Sequence, residues 1–414
     1  MREKCRISNK GITPVIDLGD LYVSNFLPAV SCDAPKGPLS LGIGEESELL
    51  QLYDAVNPDI LYKQYWYRSG TNITMKKQLK DVIAVIPRWV KLEDYDIVLD
   101  IGCNDGTLMS LYPPEYKILK VGIDPAENIA RDGRLYCNLH ATSYFTKNTY
   151  FPLTDGRKAR VITSIAMFYD LEDPHSFVED IRECLQDNGI WILQISYTPL
   201  MIQQNAFDNI CHEHIEYYSL TSLNYLLKRH DLKIIDVELN DTNSGSFCVI
   251  ITKQQNDMRN VDIFYKDIGE FRCNSILEYE NKLRLNEAEG YLNFMNRVET
   301  LKAKTVDMLR KLVREGKTIF GYGASTKGNT LLQYYGIDHT ILKGIAERQP
   351  QKFGLLTVGS WIPIVSEEEM RAAKPDYLFI LPWHFINEFC IREKDLLKAG
   401  CKFILPLPDL RVIG

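Results

Sequence analysis

The stretch FDNICHEHIEYYS, Phe207 to Ser219, concentrates one cysteine, two histidines and three acids (Asp208, Glu213 and Glu216) in a few residues. Three readings suit such a set. A zinc-protease helix needs two histidines at i and i+4 in H-E-x-x-H, but the fourth residue after His212 is Glu216. His212 and His214 can share one side of an extended segment with Cys211, yet no second ligand cluster accompanies them, so no metal is expected. A structural reading makes Ser219 or Thr221 the cap of a helix over the following apolar-periodic run, with a polar loop before it. The third reading is a general base. The stretch follows the strand-like GIWILQIS (189–196) by only YTPLMIQQNA, so it can fold over the edge of a sheet. A histidine there, oriented by an acid or hydroxyl, can take a proton.

A second chemical signal is VLDIGCNDGTLMSLY (98–112), which sets Gly102 and Gly106 between a buried strand and a helix. Glycines at that place let a ligand approach the backbone at the carboxyl end of the strand. The next strand ends in Asp124, about 20 residues on, where an acid can take both hydroxyls of a ribose. Position 104 is Asn, so the G-x-G-x-x-G fingerprint fails. A ribose site without a pyrophosphate clamp suits S-adenosylmethionine better than NAD; the bland alternative is a turn with no ligand.

The third signal is GYGASTKGNT (321–330). A P-loop would need G-K-[ST], but the lysine precedes Gly328 and Asn329 follows it. What remains is a strand, a glycine turn and Lys327 at a helix N-terminus, a set that suits a diphosphate or, more plainly, packs two domains together. Trp383 and His384 follow the strand YLFILP at the corresponding edge of the same sheet.

The elements that must position these groups read as α/β. From IVLDIG onward, strands alternate with helices of a length that specifies βαβ units and a parallel sheet, with a helix expected over 73–86 ending at Pro87 and another over AENIARDG (126–133). The organisation expected is a small β-rich lobe over 1–60, an α/β domain over 61–256, a helical connector over 257–314 and a second α/β domain over 315–414. With 414 residues, 45% hydrophobic, 25% charged and a net charge of −7, the chain resembles a globular protein with neither a nucleic-acid nor a membrane partner. Ten cysteines without a CxxC pair, and no apolar signal after the N-terminal charges, lead to the expectation of reduced thiols and a cytoplasmic protein.

Residues 63–414 resemble the sugar C-methyltransferases that act on nucleotide-linked 4-keto-deoxyhexoses. The resemblance rests on YRSGTN (67–72), DIGCNDG (100–106), FDNICHEHIEYYS (207–219), GYGASTKGNT (321–330), TVGSWIPI (357–364) and LPWHF (381–385), in order and at fitting separations. It implies a zinc-binding N-terminal lobe, a central class I Rossmann-like domain for S-adenosylmethionine and a C-terminal Rossmann-like domain for the nucleotide sugar. The implied cofactor residues are Tyr67, Ser69, Gly102, Asn104, Gly106 and Asp124. The implied catalytic set is His214 as base with Glu213, Tyr197 and Cys211, and the implied substrate set is Lys327, Tyr322, Asn329, Trp383 and His384. Three departures matter. Of four expected zinc thiolates only Cys5 remains, with Ser8, Gly44 and Ser47 at the other positions, so a degenerate lobe without zinc is expected. Cys211 stands where many relatives carry tyrosine, and Asp170 stands where they carry a second histidine. The function implied is S-adenosylmethionine-dependent C-methylation of a nucleotide-linked keto-deoxysugar. The alternatives are O- or N-methylation of such a sugar, or a non-catalytic nucleotide-sugar-binding protein, against which DIGCNDG with Asp124 speaks.

Overall fold

Four strands open the chain: β1 (Ile12–Tyr22), β2 (Phe26–Leu27), β3 (Lys36–Gly44) and β4 (Leu50–Leu52). The computed structural model describes residues 2–63 and 65–414. The central domain follows with β5 (Ile97–Ile101), β6 (Leu119–Asp124), β7 (Leu139–Thr142), β8 (Ala159–Ile165), β9 (Leu185–Ser196), β10 (Glu216–Tyr217), β11 (Leu232–Asn240) and β12 (Ser246–Lys253). All but β10 form one seven-stranded sheet ordered β11-β12-β9-β8-β5-β6-β7. It is parallel from β9 through β7 and antiparallel where β12 meets β9 and β11. All five residues of β5 are buried, as a central strand covered on both faces requires.

The C-terminal domain carries β13 (Ile319–Tyr322), β14 (Ile345–Glu347), β15 (Leu356–Thr357), β16 (Ile364–Ser366), β17 (Tyr377–Ile380), β18 (Lys402–Leu405) and β19 (Arg411–Ile413). Its six-stranded sheet runs β16-β14-β13-β17-β18-β19, with only β19 antiparallel. In each sheet the strand order reverses beside the first strand, between β5 and β8 and between β13 and β17. Ligand crevices open at the carboxyl ends of such switch points.

The N-terminal lobe holds both domains. Its sheet runs β1-β3-β4-β10, so the opening stretch of the sequence analysis lends it an edge strand, while β2 pairs with β15. Arg6, almost wholly buried, donates to the Leu52 carbonyl and pairs with Glu172 at 3.0 Å.

Three helical expectations are refined. The first helix runs Ile73–Trp89, past Pro87: a proline in the last turn removes one backbone donor there, and the Val90 N–H still reaches the Ile86 carbonyl. Within 126–133 only Ala130 onward is helical, in Ala130–Arg134. Residues 257–314 form the helices Ile263–Leu283 and Ala288–Arg314. The first lies so close to β11 that a Cβ on Gly269 would sit 2.3 Å from the Ile235 carbonyl oxygen; glycine is what permits that approach. Among the described residues no helix is long and apolar enough to cross a membrane.

Candidate active site

The carboxyl edges of the two parallel sheets enclose one cavity of about 360 Å³. On the central-domain side, β5 ends in a turn where Gly102 and Gly106 have φ of +71° and +75°, a region that favours glycine. A Cβ on Gly102 would also lie 3.1 Å from Met167. Gly106 does not line the cavity; it caps the short helix Thr107–Ser110 and lies against Gly133. Asp124, at the end of β6, lines the cavity and accepts the backbone N–H groups of Asn104 and Ala126, both at 2.8 Å. Burial raises its carboxyl pKa, and those two bonds oppose the rise. Each oxygen keeps a lone pair for a hydroxyl.

Asn104 ties a second element to this turn. Its Oδ1 accepts the Ser69 N–H and its Nδ2 donates to the Tyr67 carbonyl, each at 3.0 Å. The Gly70 N–H adds a bond to Asp105 at 2.9 Å. Tyr67, Ser69, Gly102, Asn104 and Asp124 therefore meet on one wall. Asp100 joins them, a residue not singled out from the sequence; it accepts the Thr163 hydroxyl at 2.6 Å, and burial pushes its carboxyl up to about 7. The available signal was one acid inside the apolar IVLDI.

The opposite wall comes from the 207–219 stretch, the turn after β8 and the C-terminal domain. His214 Nδ1 lies 3.0 Å from the Asn209 carbonyl. A carbonyl only accepts, so Nδ1 carries the hydrogen and Nε2 keeps its lone pair. The imidazole packs on Tyr169 with ring centroids 4.3 Å apart. Burial, and then the Lys327 charge, drive its pKa down to about 3. The neighbouring Glu213 is pushed up to about 7 by burial, against the pull of the Thr326 hydroxyl and Lys327.

Lys327 lies in the first turn of the helix Thr326–Tyr335, whose cap Ser325 accepts the Gly328 N–H at 3.0 Å. Its ammonium donates to the Asn243 carbonyl at 3.2 Å and is itself lowered in pKa by burial. Ser325, Thr326, Lys327 and His384 all line the cavity, and burial with the Lys327 charge lowers His384 to about 3. Asp170, Tyr62, Tyr65 and Tyr169 complete this wall; the tyrosines were not foreseen, because nothing in their spacing marks them.

Several expected residues are not on the wall. The Tyr197 hydroxyl donates to Glu280 at 2.7 Å, and Glu280 also caps the helix Leu220–Lys228 through the Leu220 and Thr221 N–H groups. Tyr197 thus fastens that helix instead of reaching a substrate. Tyr322 is held by Glu367 and Glu393, Asn329 donates to the Asn25 carbonyl and the Trp383 indole donates to Asp208. Cys211 is buried behind the wall, its thiol pKa raised by that burial. Ser219 is the helix cap of the structural reading, in a reciprocal capping box with Ser222.

His212 turns away from His214 and lies 3.1 Å from the Gly37 carbonyl, so the histidine pair does not converge. Cys211, Glu213 and His214 do offer atoms within 4.8 Å of one another. In the lobe, the four positions implied for zinc gather: Cys5 Sγ lies 3.2 Å from Ser47 Oγ, Ser8 bonds to the same thiol, and a Cβ on Gly44 would fall 2.4 Å from it. One thiol, two hydroxyls and a bare glycine do not fit a structural zinc.

Residues 72–237 match the model of a methyltransferase domain, and residues 241–408 match that of a C-methyltransferase C-terminal domain. The chain is an S-adenosylmethionine-dependent methyltransferase. It is 29% identical over 378 residues to the C-methyltransferase NovU of Streptomyces niveus, covering 91% of this chain and 88% of that one. Among solved structures, an S-adenosylmethionine-dependent methyltransferase from Clostridium acetobutylicum aligns at 14% identity and a TM-score of 0.34, over 43% of this chain and 92% of that one. Magnesium protoporphyrin IX methyltransferase from Synechocystis aligns at 11% identity and 0.33, over 45% and 86%. The open turn at Gly102 and the lone pairs left on Asp124 fit S-adenosylmethionine, the cofactor of such enzymes, which these residues would hold. When bound, S-adenosylmethionine supplies the methyl group.

Proposed function

We propose that the protein methylates the carbon beside the ketone of a nucleotide-linked keto-deoxysugar, with His214 as the base. The observation that carries this reading is that His214, with its free Nε2 lone pair, and Lys327, at a capped helix N-terminus, line the same wall of one cavity. A diphosphate suits the helix end and the lysine, and the sugar then extends toward His214. The likeness to NovU supports transfer to carbon.

A carbon beside a ketone is a weak acid, so the reaction needs a base and an electrostatic partner for the enolate oxygen. In the free protein the Lys327 charge is one cause of the low basicity of His214. An anionic substrate lying on Lys327 offsets that charge and raises the basicity of the imidazole when it is needed. The Glu213 carboxylate, within 4.8 Å of the His214 ring nitrogen, stabilises the imidazolium formed. The test is incubation with methyl-labelled S-adenosylmethionine and a panel of nucleotide 4-keto- and amino-sugars, locating the label by NMR. Label on the carbon beside a ketone is expected; label on oxygen or nitrogen overturns the reading in favour of heteroatom methylation.

A further inference from the structure

Two half-buried carboxyls, Glu213 and Asp170, face the substrate half of the cavity, and the chemistry above uses only the first. Asp170 ends the short 3-10 turn Phe168–Asp170 just after β8. The Ile215 N–H donates to the Tyr169 carbonyl at 3.0 Å, which fixes this turn against the segment bearing Glu213 and His214. Asp170 lines the cavity. Its Oδ1 is buried and has no hydrogen-bond partner among the described residues. A buried carboxyl oxygen with no partner costs stability, about 1–3 kcal/mol for a typical polar group, and a site that keeps one has a use for it when the ligand is present.

We propose that Asp170 is a catalytic residue that donates a hydrogen bond to the substrate's ketone oxygen and stabilises the enolate formed when His214 takes the neighbouring proton. This rests on the C-methylation reading. The titratable groups facing Asp170 are Tyr62, Tyr65, Tyr169, Cys211, Glu213, Glu216 and Tyr217. No cation is among them, whereas Glu213 has the Lys327 ammonium to offset its charge. Carboxyls that repel one another resist ionising together, and the proton favours the one without a cation. Burial and then Glu213 hold the Asp170 carboxyl well above the ordinary range, against the pull of a hydrogen bond with the Tyr62 hydroxyl, and so favour the protonated, donating form. The electron balance is simple. The C–H proton passes to His214 Nε2, its bonding pair forms the carbon–carbon double bond, and the carbonyl pair moves onto the oxygen that Asp170 holds. A buried acid donor does here what the Cys211 thiol, a weak donor set behind the wall, does not.

The experiment follows exchange of the substrate C–H for deuterium in D₂O, and methyl transfer, in wild type, Asp170→Ala and Asp170→Asn, with S-adenosylmethionine affinity by calorimetry as the check on folding. The substrate is whichever nucleotide keto-sugar the panel identifies. Asp170→Ala is expected to slow both activities together by about 10²-fold, the usual loss for an oxyanion donor, with cofactor affinity unchanged. Asp170→Asn, whose amide still donates, should keep more rate than the alanine variant. It should also lack the fall at high pH that ionisation of Asp170 gives the wild type. Wild-type exchange rates in Asp170→Ala, or an unchanged alkaline limb in Asp170→Asn, overturn the proposal while leaving C-methylation standing. Methyl transfer by the wild type without any C–H exchange overturns both.

Discussion

On the wall built by β5 and β6, the protein already satisfies its own polar groups: both oxygens of Asp124 accept backbone N–H groups, and both ends of the Asn104 amide are bonded to the 67–70 segment. Across the cavity the accounts are open. Asp170 Oδ1 has no hydrogen-bond partner among the described residues, nor, behind the lining, do Asp208 Oδ1 and the two polar side-chain atoms of Asn209, and Lys327 rests on one carbonyl. The first wall is set for its ligand beforehand, as a site for an invariable cofactor can be. The second holds polar groups whose pKa values are shifted in both directions, and unpaired groups of that kind suit the stabilisation of charge that develops only during a reaction.

This contrast predicts that variants separate cleanly by wall. The largest effect belongs to His214→Ala, which should slow methyl transfer by about 10²–10⁴-fold while calorimetry finds cofactor affinity unchanged; near-normal turnover would move the base elsewhere. Asp124→Ala should do the reverse, weakening S-adenosylmethionine binding by about 2–4 kcal/mol because a charge-assisted pair of hydrogen bonds is lost. Unchanged affinity by calorimetry would remove Asp124 from the cofactor site. Lys327→Met should raise KM for the nucleotide sugar by about 10–10²-fold, the worth of a charged hydrogen bond, with little change in cofactor affinity. Glu213, pushed up to about 7 by burial, is protonated below that pH and ionised above it. Activity should therefore rise with pH through about 7, and Glu213→Gln should flatten that limb. Smallest of all, elemental analysis should find no stoichiometric zinc, and a chelator should leave Tm unmoved; about one zinc per chain would direct attention to Cys211, Glu213 and His214.

The pre-set wall was the more legible in the sequence. A buried strand, a positive-φ glycine and an acid ending the next strand are local consequences of one another, so Gly102, Asn104 and Asp124 could be read together. The open wall depends on which way side chains face once distant segments meet. Tyr197 follows β9 and Tyr322 ends β13, but their hydroxyls turn to Glu280 and to Glu367 with Glu393, acids 83, 45 and 71 residues away in the chain. Asp170 was visible only as a substitution for an expected histidine. Its lack of a partner is a property of the packed structure that no spacing reveals. The lobe shows the same limit from the other side: Cys5, Ser8, Gly44 and Ser47 do gather as the resemblance implies, yet what they form is a hydrogen-bonded knot.

The central claim is that the open wall removes a proton from carbon. The most direct measurement incubates the wild-type protein and the nucleotide keto-sugar in D₂O with S-adenosylhomocysteine in place of the methyl donor, and follows the proton beside the ketone by NMR. Enzyme-dependent loss of that proton's signal, abolished in His214→Ala, is the predicted result. Retention of the signal, by a protein that methylates the same sugar when the donor is restored, would contradict it.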